Sequence, residues 1–367
     1  MCRRIASITS VLFVCGLMAT ASYGQLLGVY EFDGGGDGTS WDEAANWEQK
    51  LDPFGVPISG DPATPPDGVT TADIPVAGVV IDGTMPGQTA LDVNIGTVVG
   101  AGSLSISGGD LLAGRDVFVG RDNVNGINGG SLVMSGGTLD AGDDIEVGAG
   151  SVGSMTMSDG LASTGDDFFV NAGSSLTVTG GTIHVGDRLV TDAGATINVD
   201  GGSIVADDDF YFNAGSEQIT VDSGSMIVQD KLRMDLAGTT LTVNGGLVRT
   251  QEFGFCSTTD CSTSYVMNGT LEINGSGIFQ SQAPDVGSPI SQLSEAQAQA
   301  LILAGTITTS EVFPLGLVVS TVVVPDFFGN ANLSFTQISI GTVPEPASAV
   351  LLSMGVLGFV VRRRRAA

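Results

Sequence analysis

Aspartates recur at one turn of a repeated motif, and they are the first candidates for chemistry in this chain. Asp143, Asp166, Asp187, Asp208 and Asp230 occupy equivalent positions, each beside a second column made of Asp144, Asp167, Arg188, Asp209 and Lys231. Stacked about 4.8 Å apart, neighbouring carboxylates repel by about 1 kcal/mol in water. Hard oxygen ligands in a line suit Ca²⁺. The Gly-rich nonapeptide of Ca²⁺-binding β-rolls is missing, so the column reads first as an exposed acidic edge and second as a row of calcium sites. The Asp33–Gly38 stretch also hints at a calcium loop, but Ala44 stands where an EF-hand needs an acid.

Other chemistry is short of parts. His184 is the only histidine, so Ser-His-Asp, Cys-His and zinc schemes all lack partners. Arg188 beside Asp167, Asp187 and Asp209 is the one constellation a polysaccharide lyase could use, and it serves equally as charge balance. The glycines carry no phosphate-loop lysine or strand-to-helix context, which excludes a nucleotide reading. The chain is expected to have no catalytic activity and no resident cofactor, Ca²⁺ excepted.

The elements that would carry these residues come from a repeat. Gly-centred pairs from Gly108-Gly109 to Asn268-Gly269 recur every 21 to 23 residues, after a first interval of 28. Each pair follows a period-two apolar doublet such as Leu176/Val178, Ile197/Val199 or Ile219/Val221, and precedes a second such as Ile183/Val185 or Met226/Val228. A third doublet closes the turn, as in Phe168/Val170, Phe210/Phe212 and Phe253/Phe255. Period two places one face of a strand inward. Three short strands per turn, in about eight coils of roughly 22 residues, predict an all-β fold, a parallel β-solenoid (β-helix) over residues 101–280. Corner triplets such as Asn171-Ala172-Gly173 and Asn213-Ala214-Gly215 supply left-handed backbone, with an asparagine ladder possible between coils.

Solenoid ends need caps. Residues 25–100 are read as the N-terminal one; their Trp41, Asn46 and Trp47 cluster resembles the entry segment of autotransporter-like bacterial β-helices. Residues 281–342 are read as a C-terminal β segment with one short helix, for which Ser294 and Gln297 offer a capping box and Gly305 a stop. Cys256 and Cys261 are expected to pair as a disulfide in an oxidising compartment.

Both termini read as addresses. Residues 1–24 run from Arg3-Arg4 through an apolar stretch to small residues, the layout of a signal peptide. Residues 343–367 contain Pro344, Glu345 and Pro346, an apolar run from Ala349 to Val361, and Arg362, Arg363, Arg364 and Arg365. This tail resembles a PEP-CTERM sorting signal. The resemblance implies an exosortase-type processing enzyme as partner, a membrane contact through the apolar helix before processing, and a cell-surface or extracellular location. Removing both termini takes away one acid and six bases, leaving 39 acids and 7 bases. Such a body repels polyanions, so nucleic acid is not a partner; extracellular polysaccharide is the ligand class that remains open. The function expected is that of an exported structural protein, with a carbohydrate- or calcium-binding adhesin as the alternative and a polysaccharide-active β-helix enzyme after it.

Overall fold

The computed structural model describes residues 28–51, 62, 64–121, 128–234, 236–253, 268–282, 293–311, 315–325 and 332–342. The fold is nearly all β, a parallel β-solenoid of about eight turns. Its internal contacts divide the chain into two compact units, residues 1–155 with 160–165 and residues 156–159 with 166–367.

The first unit opens on a small aromatic cluster. Val29–Phe32 pairs antiparallel with Trp47–Leu51 and parallel with Thr71–Ile74. Phe32, Trp41 and Trp47 are fully buried, with Trp47 edge-on to both others at 5.1 and 4.9 Å. The Trp47 indole donates to the Trp41 carbonyl at 2.8 Å, which satisfies its one polar atom.

Parallel stacking, begun by Val29–Phe32 on Thr71–Ile74, runs on through the segment 25–100 read as a cap. Thr71–Ile74 pairs with Val93–Ile95, Val79–Ile81 with Leu104–Ile106, and Gln88–Ala90 with Leu111–Ala113. These early strands are three or four residues long and lack the glycine pair, so their periodicity is too short to register in a repeat count. The same columns continue through Gly130–Ala141 and Ile145–Val147.

In the second unit, one column of inward side chains runs Phe168, Leu189, Phe210, Leu232 and Phe253. All five are fully buried. Phenylalanines thus occupy every second coil with leucines between them, and large flat and branched residues interdigitate as a dense core requires. Direct ring contacts are made instead by Phe210 with Phe212 at 4.7 Å and by Phe253 with Phe279 at 4.5 Å.

Two of the three strands expected per turn are continuous in several coils. Gly102–Ala113, Gly130–Ala141 and Thr196–Ala206 pass through the glycine pair without ending, and the register shifts there. The reason is steric. Gly224 has φ +80°, and a Cβ on it would lie 2.1 Å from the Gly202 carbonyl oxygen of the coil below. Backbones therefore touch at this corner, where only glycine fits.

The C-terminal segment holds the helix Glu295–Leu303. Ser294 caps it, its hydroxyl accepting from the Gln297 amide while the Gln297 side chain accepts from the Ser294 amide. Asn332–Thr342 pairs antiparallel with Ile278–Gln282, and Leu315–Pro325 pairs antiparallel with Asn332–Thr342. Among the described residues no helix is long and apolar enough to cross a membrane. The signal segment 1–24, Cys256 and Cys261, and the tail 343–367 with its apolar stretch lie outside the described residues.

Candidate functional site: an acidic corner

Each turn changes direction just before its third strand, and the aspartates sit at that bend. In the second unit the outer column is in backbone register: the Asp187 amide donates to the Asp166 carbonyl at 2.9 Å, Asp208 to Asp187 at 3.0 Å, and Asp230 to Asp208 at 3.1 Å. The residues one step further along form an inner column that alternates in charge, Asp167, Arg188, Asp209 and Lys231. Asp167 and Asp209 are only 4% and 3% exposed.

Burial of a carboxylate is tolerable only with partners. Asp167 accepts from the Arg188 amide at 3.0 Å and takes its guanidinium in a fork, Nε at 3.0 Å and Nη2 at 2.6 Å. Asp209 accepts from the Lys231 amide at 2.9 Å, the Tyr211 hydroxyl at 2.6 Å and the Arg233 guanidinium at 2.7 Å. The Arg233 guanidinium also lies 4.1 Å over the Tyr211 ring. An inner aspartate thus occupies a backbone amide of the following coil at a bend and neutralises a cation as well. Burial, reinforced by the hydrogen bond to Asp209, pushes the Tyr211 hydroxyl up to about 12.

The outer column is less well served. Arg188 Nε lies 3.6 Å from Asp187, and Lys231 Nζ lies 2.6 Å from Asp230. Asp208 stands between them among acids. Desolvation first, then the charges and hydrogen-bonding oxygens of Asp209, Asp187 and Asp230, push its carboxyl up to about 6.

The first unit repeats the device with one cation. Arg115 forks onto Asp92, with Nε at 2.9 Å and Nη2 on the second oxygen. Asp116 accepts from the Asp144 amide at 3.3 Å, and burial raises its carboxyl above the ordinary value. Asp143 stacks on Arg115 through its amide at 3.0 Å. Sequence reasoning named Asp143 but missed Asp92, Arg115, Asp116, Tyr211 and Arg233. A signal was there: Asp92, Asp116, Asp144, Asp167 and Asp209 each directly precede the first inward residue of a third strand.

Within the second unit two groups of carboxylates could hold a cation, Asp166 with Asp167 and Asp187, and Asp208 with Asp209 and Asp230. Within each group the candidate oxygens lie within 4.8 Å of one another. Calcium would have to share Asp167 with Arg188, and Asp209 with Lys231 and Arg233. The residues suit a hard cation in type, while the inner member of each group is already engaged by protein donors.

The remaining candidates resolve into local structure. His184 Nε2 lies 3.1 Å from Asp207, which also accepts from Gln229 at 2.6 Å. Asn46 fills the centre of the glycine loop: its Oδ1 accepts from the Gly36 and Gly38 amides, and its Nδ2 donates to Asp37 and the Ser40 carbonyl. The Ser40 hydroxyl leads the donors that hold the Asp37 carboxyl below its ordinary range. That loop has a side-chain amide where a calcium ion would sit. At the Asn171 corner, Asp192 bonds its own loop at the Ala193 amide. At the glycine corner, Asn244 donates to Asp222 at 2.7 Å and Asn274 to Asn244 at 3.0 Å, side chains bonded from coil to coil.

No curated protein and no solved structure matches the chain. A family model for the PEP-CTERM protein-sorting motif matches residues 342–365. That segment includes Pro344, Glu345, Pro346 and the four arginines, and the chain is therefore an exported protein that carries the sorting signal read by an exosortase.

Proposed function

We propose that the chain is a non-enzymatic structural component of the cell surface or extracellular matrix, delivered there by its PEP-CTERM tail. The observation that carries this reading is the state of its cations at the acidic corners. Arg188, Lys231 and Arg233 are each paired with Asp167 or Asp209, carboxylates that also bind backbone amides, and Arg115 is forked onto Asp92. They act as parts of the scaffold, and Arg188, the residue a lyase reading needs, is held by a fork that raises its affinity for the proton. The test is turnover of acidic polysaccharides by the exported protein, followed as unsaturated product by absorbance. The expectation is none; turnover that disappears in Arg188→Ala would replace the structural reading with the enzymatic one.

A second reading, a calcium-dependent adhesin, is favoured by the carboxylates around Asp208. Isothermal calorimetry with CaCl₂ separates the two. Heat that is lost in Asp208→Asn, with a higher melting temperature in Ca²⁺, supports the adhesin; absence of heat supports the scaffold.

The apolar run Ala349–Val361 is thirteen residues, about 20 Å as a helix, so flanking arginines would have to snorkel for it to hold a membrane before processing. Mass spectrometry of the surface protein should find a C-terminus upstream of Arg362. An intact arginine cluster would contradict processing.

A further inference from the structure

The outer hairpin strand, Leu315–Pro325, is paired on one side only. Its eleven residues match Asn332–Thr342 without a register shift, and among the described residues no strand pairs with its other side. No side chain from Gly316 to Val324 is buried, and Val323 is 65% exposed. The helix Glu295–Leu303 touches one face of the hairpin, where the Thr321 hydroxyl donates to Glu295 at 2.6 Å. A long, apolar edge of this kind is a template for another strand, and proteins that must stay single blunt it with charge, proline or a bulge. From Leu315 to Val324 none of these is present, and Pro325 stands only at the strand's end.

Charge selects the occupant. Residues 312–325 contain no ionisable side chain, in a chain of net charge −27. A cationic partner would be drawn to the acidic corners and not to a neutral strand, whereas two acidic copies approach each other with least repulsion where both are uncharged. We infer that a second copy of this chain adds its own Leu315–Pro325 antiparallel to this one, continuing the sheet across a two-fold dimer.

The two-fold fixes the register. An axis normal to the sheet must pair residues on the same face, so one residue meets its own copy. Ser320 is the middle residue of the strand, and only centring there overlaps all eleven positions, a seam about 37 Å long. Val318 then faces Val322 and Leu317 faces Val323, each twice, giving four apolar cross-strand pairs.

Sedimentation of the full-length exported protein should give twice the chain mass. Ser320→Asp and Ser320→Lys, which each place like charges on the axis, should separately halve it. An equimolar mixture of the two variants should restore the dimer, a recovery that misfolding cannot mimic. Ser320→Cys should form an interchain disulfide on oxidation beyond any seen in the parent chain, and Val323→Cys, which faces Leu317, should not. This cross-link carries the test if the charged variants fail to fold. A monomeric parent chain, or a dimer that neither charged variant weakens and Ser320→Cys does not link, overturns the inference.

Discussion

Asp208 and Asp209 are sequence neighbours at one bend, in columns with the same spacing, and their circumstances are opposite. Asp209 is buried and surrounded by donors; Asp208 is more open and surrounded by acids. Burial alone is therefore not what decides whether a carboxylate strains the fold. The decisive variable is which side of the bend the side chain leaves from, because only the inner side faces the amides and cations of the next coil. The inner column is stitching, and the outer column is surface charge that the stitching brings into line.

The contrast can be broken hardest at Asp209. Replacing it with alanine leaves the Lys231 amide, the Tyr211 hydroxyl and the Arg233 guanidinium without their acceptor, and urea unfolding should show a loss of about 3 kcal/mol. Asp167→Asn is a milder version. The amide keeps an oxygen for the Arg188 backbone but loses the charge that holds its fork, so the expected loss is about 1.5 kcal/mol by the same measurement. In the first unit Asp92→Asn removes the charge and one of the two acceptor oxygens that hold a half-exposed Arg115, and about 1 kcal/mol should be lost, mostly at low salt.

The outer column should respond with the opposite sign. Asp208→Asn removes a repelled charge and should raise stability at neutral pH by about 0.5 kcal/mol. Its pH dependence sharpens the comparison. The folded-state carboxyl titrates near 6, above its ordinary value of 3.8, so the folded chain holds this proton more tightly than the unfolded one. Asp208 therefore adds stability that is complete below about pH 4 and is lost as pH rises through 6. Thermal melts between pH 4 and 7 should show this slope in the parent chain and a flatter one in Asp208→Asn. An equal slope in both would mean that the outer carboxylates do not interact.

The coil period and the inward doublets were legible in the sequence because both depend on local spacing: Leu176/Val178 or Ile219/Val221 cannot face inward without a strand of period two. The acidic column was legible for the same reason. The last glycine-centred pair is the exception, since Leu241/Val243 stacks on Leu271/Ile273 and the corner falls at Asn274-Gly275, not at Asn268-Gly269. The alternation of Asp167, Arg188, Asp209 and Lys231 could be read as letters but not as a buried ladder, since burial depends on how sharply the chain bends ahead of the third strand. The early turns from Thr71 were hidden because Val79–Ile81 and Gln88–Ala90 each offer only two inward residues. Which side of Leu315–Pro325 stays open was not legible, as no local pattern tells a strand how many neighbours it will have.

The contact of backbone on backbone at the glycine corner also governs how such a chain can change in length. With Gly224 pressed against the Gly202 carbonyl, that bend is tight in the inner coils, and extra residues enter it only toward the ends of the stack: Ile81 to Gln88 is two residues longer than the Ile106 to Leu111 step it pairs with, and Ile273 to Ile278 one longer than Val243 to Leu247. Longer surpluses fall on another side: the first interval of the repeat, 28 residues, carries its extra residues between Val117–Val119 and Gly130–Ala141, and Thr240 pairs with Thr270, 30 residues on, with the excess following Phe253. The larger insertions enter on that side, and lengthening at the inner glycine corners must proceed by copying an entire turn, glycine pair included.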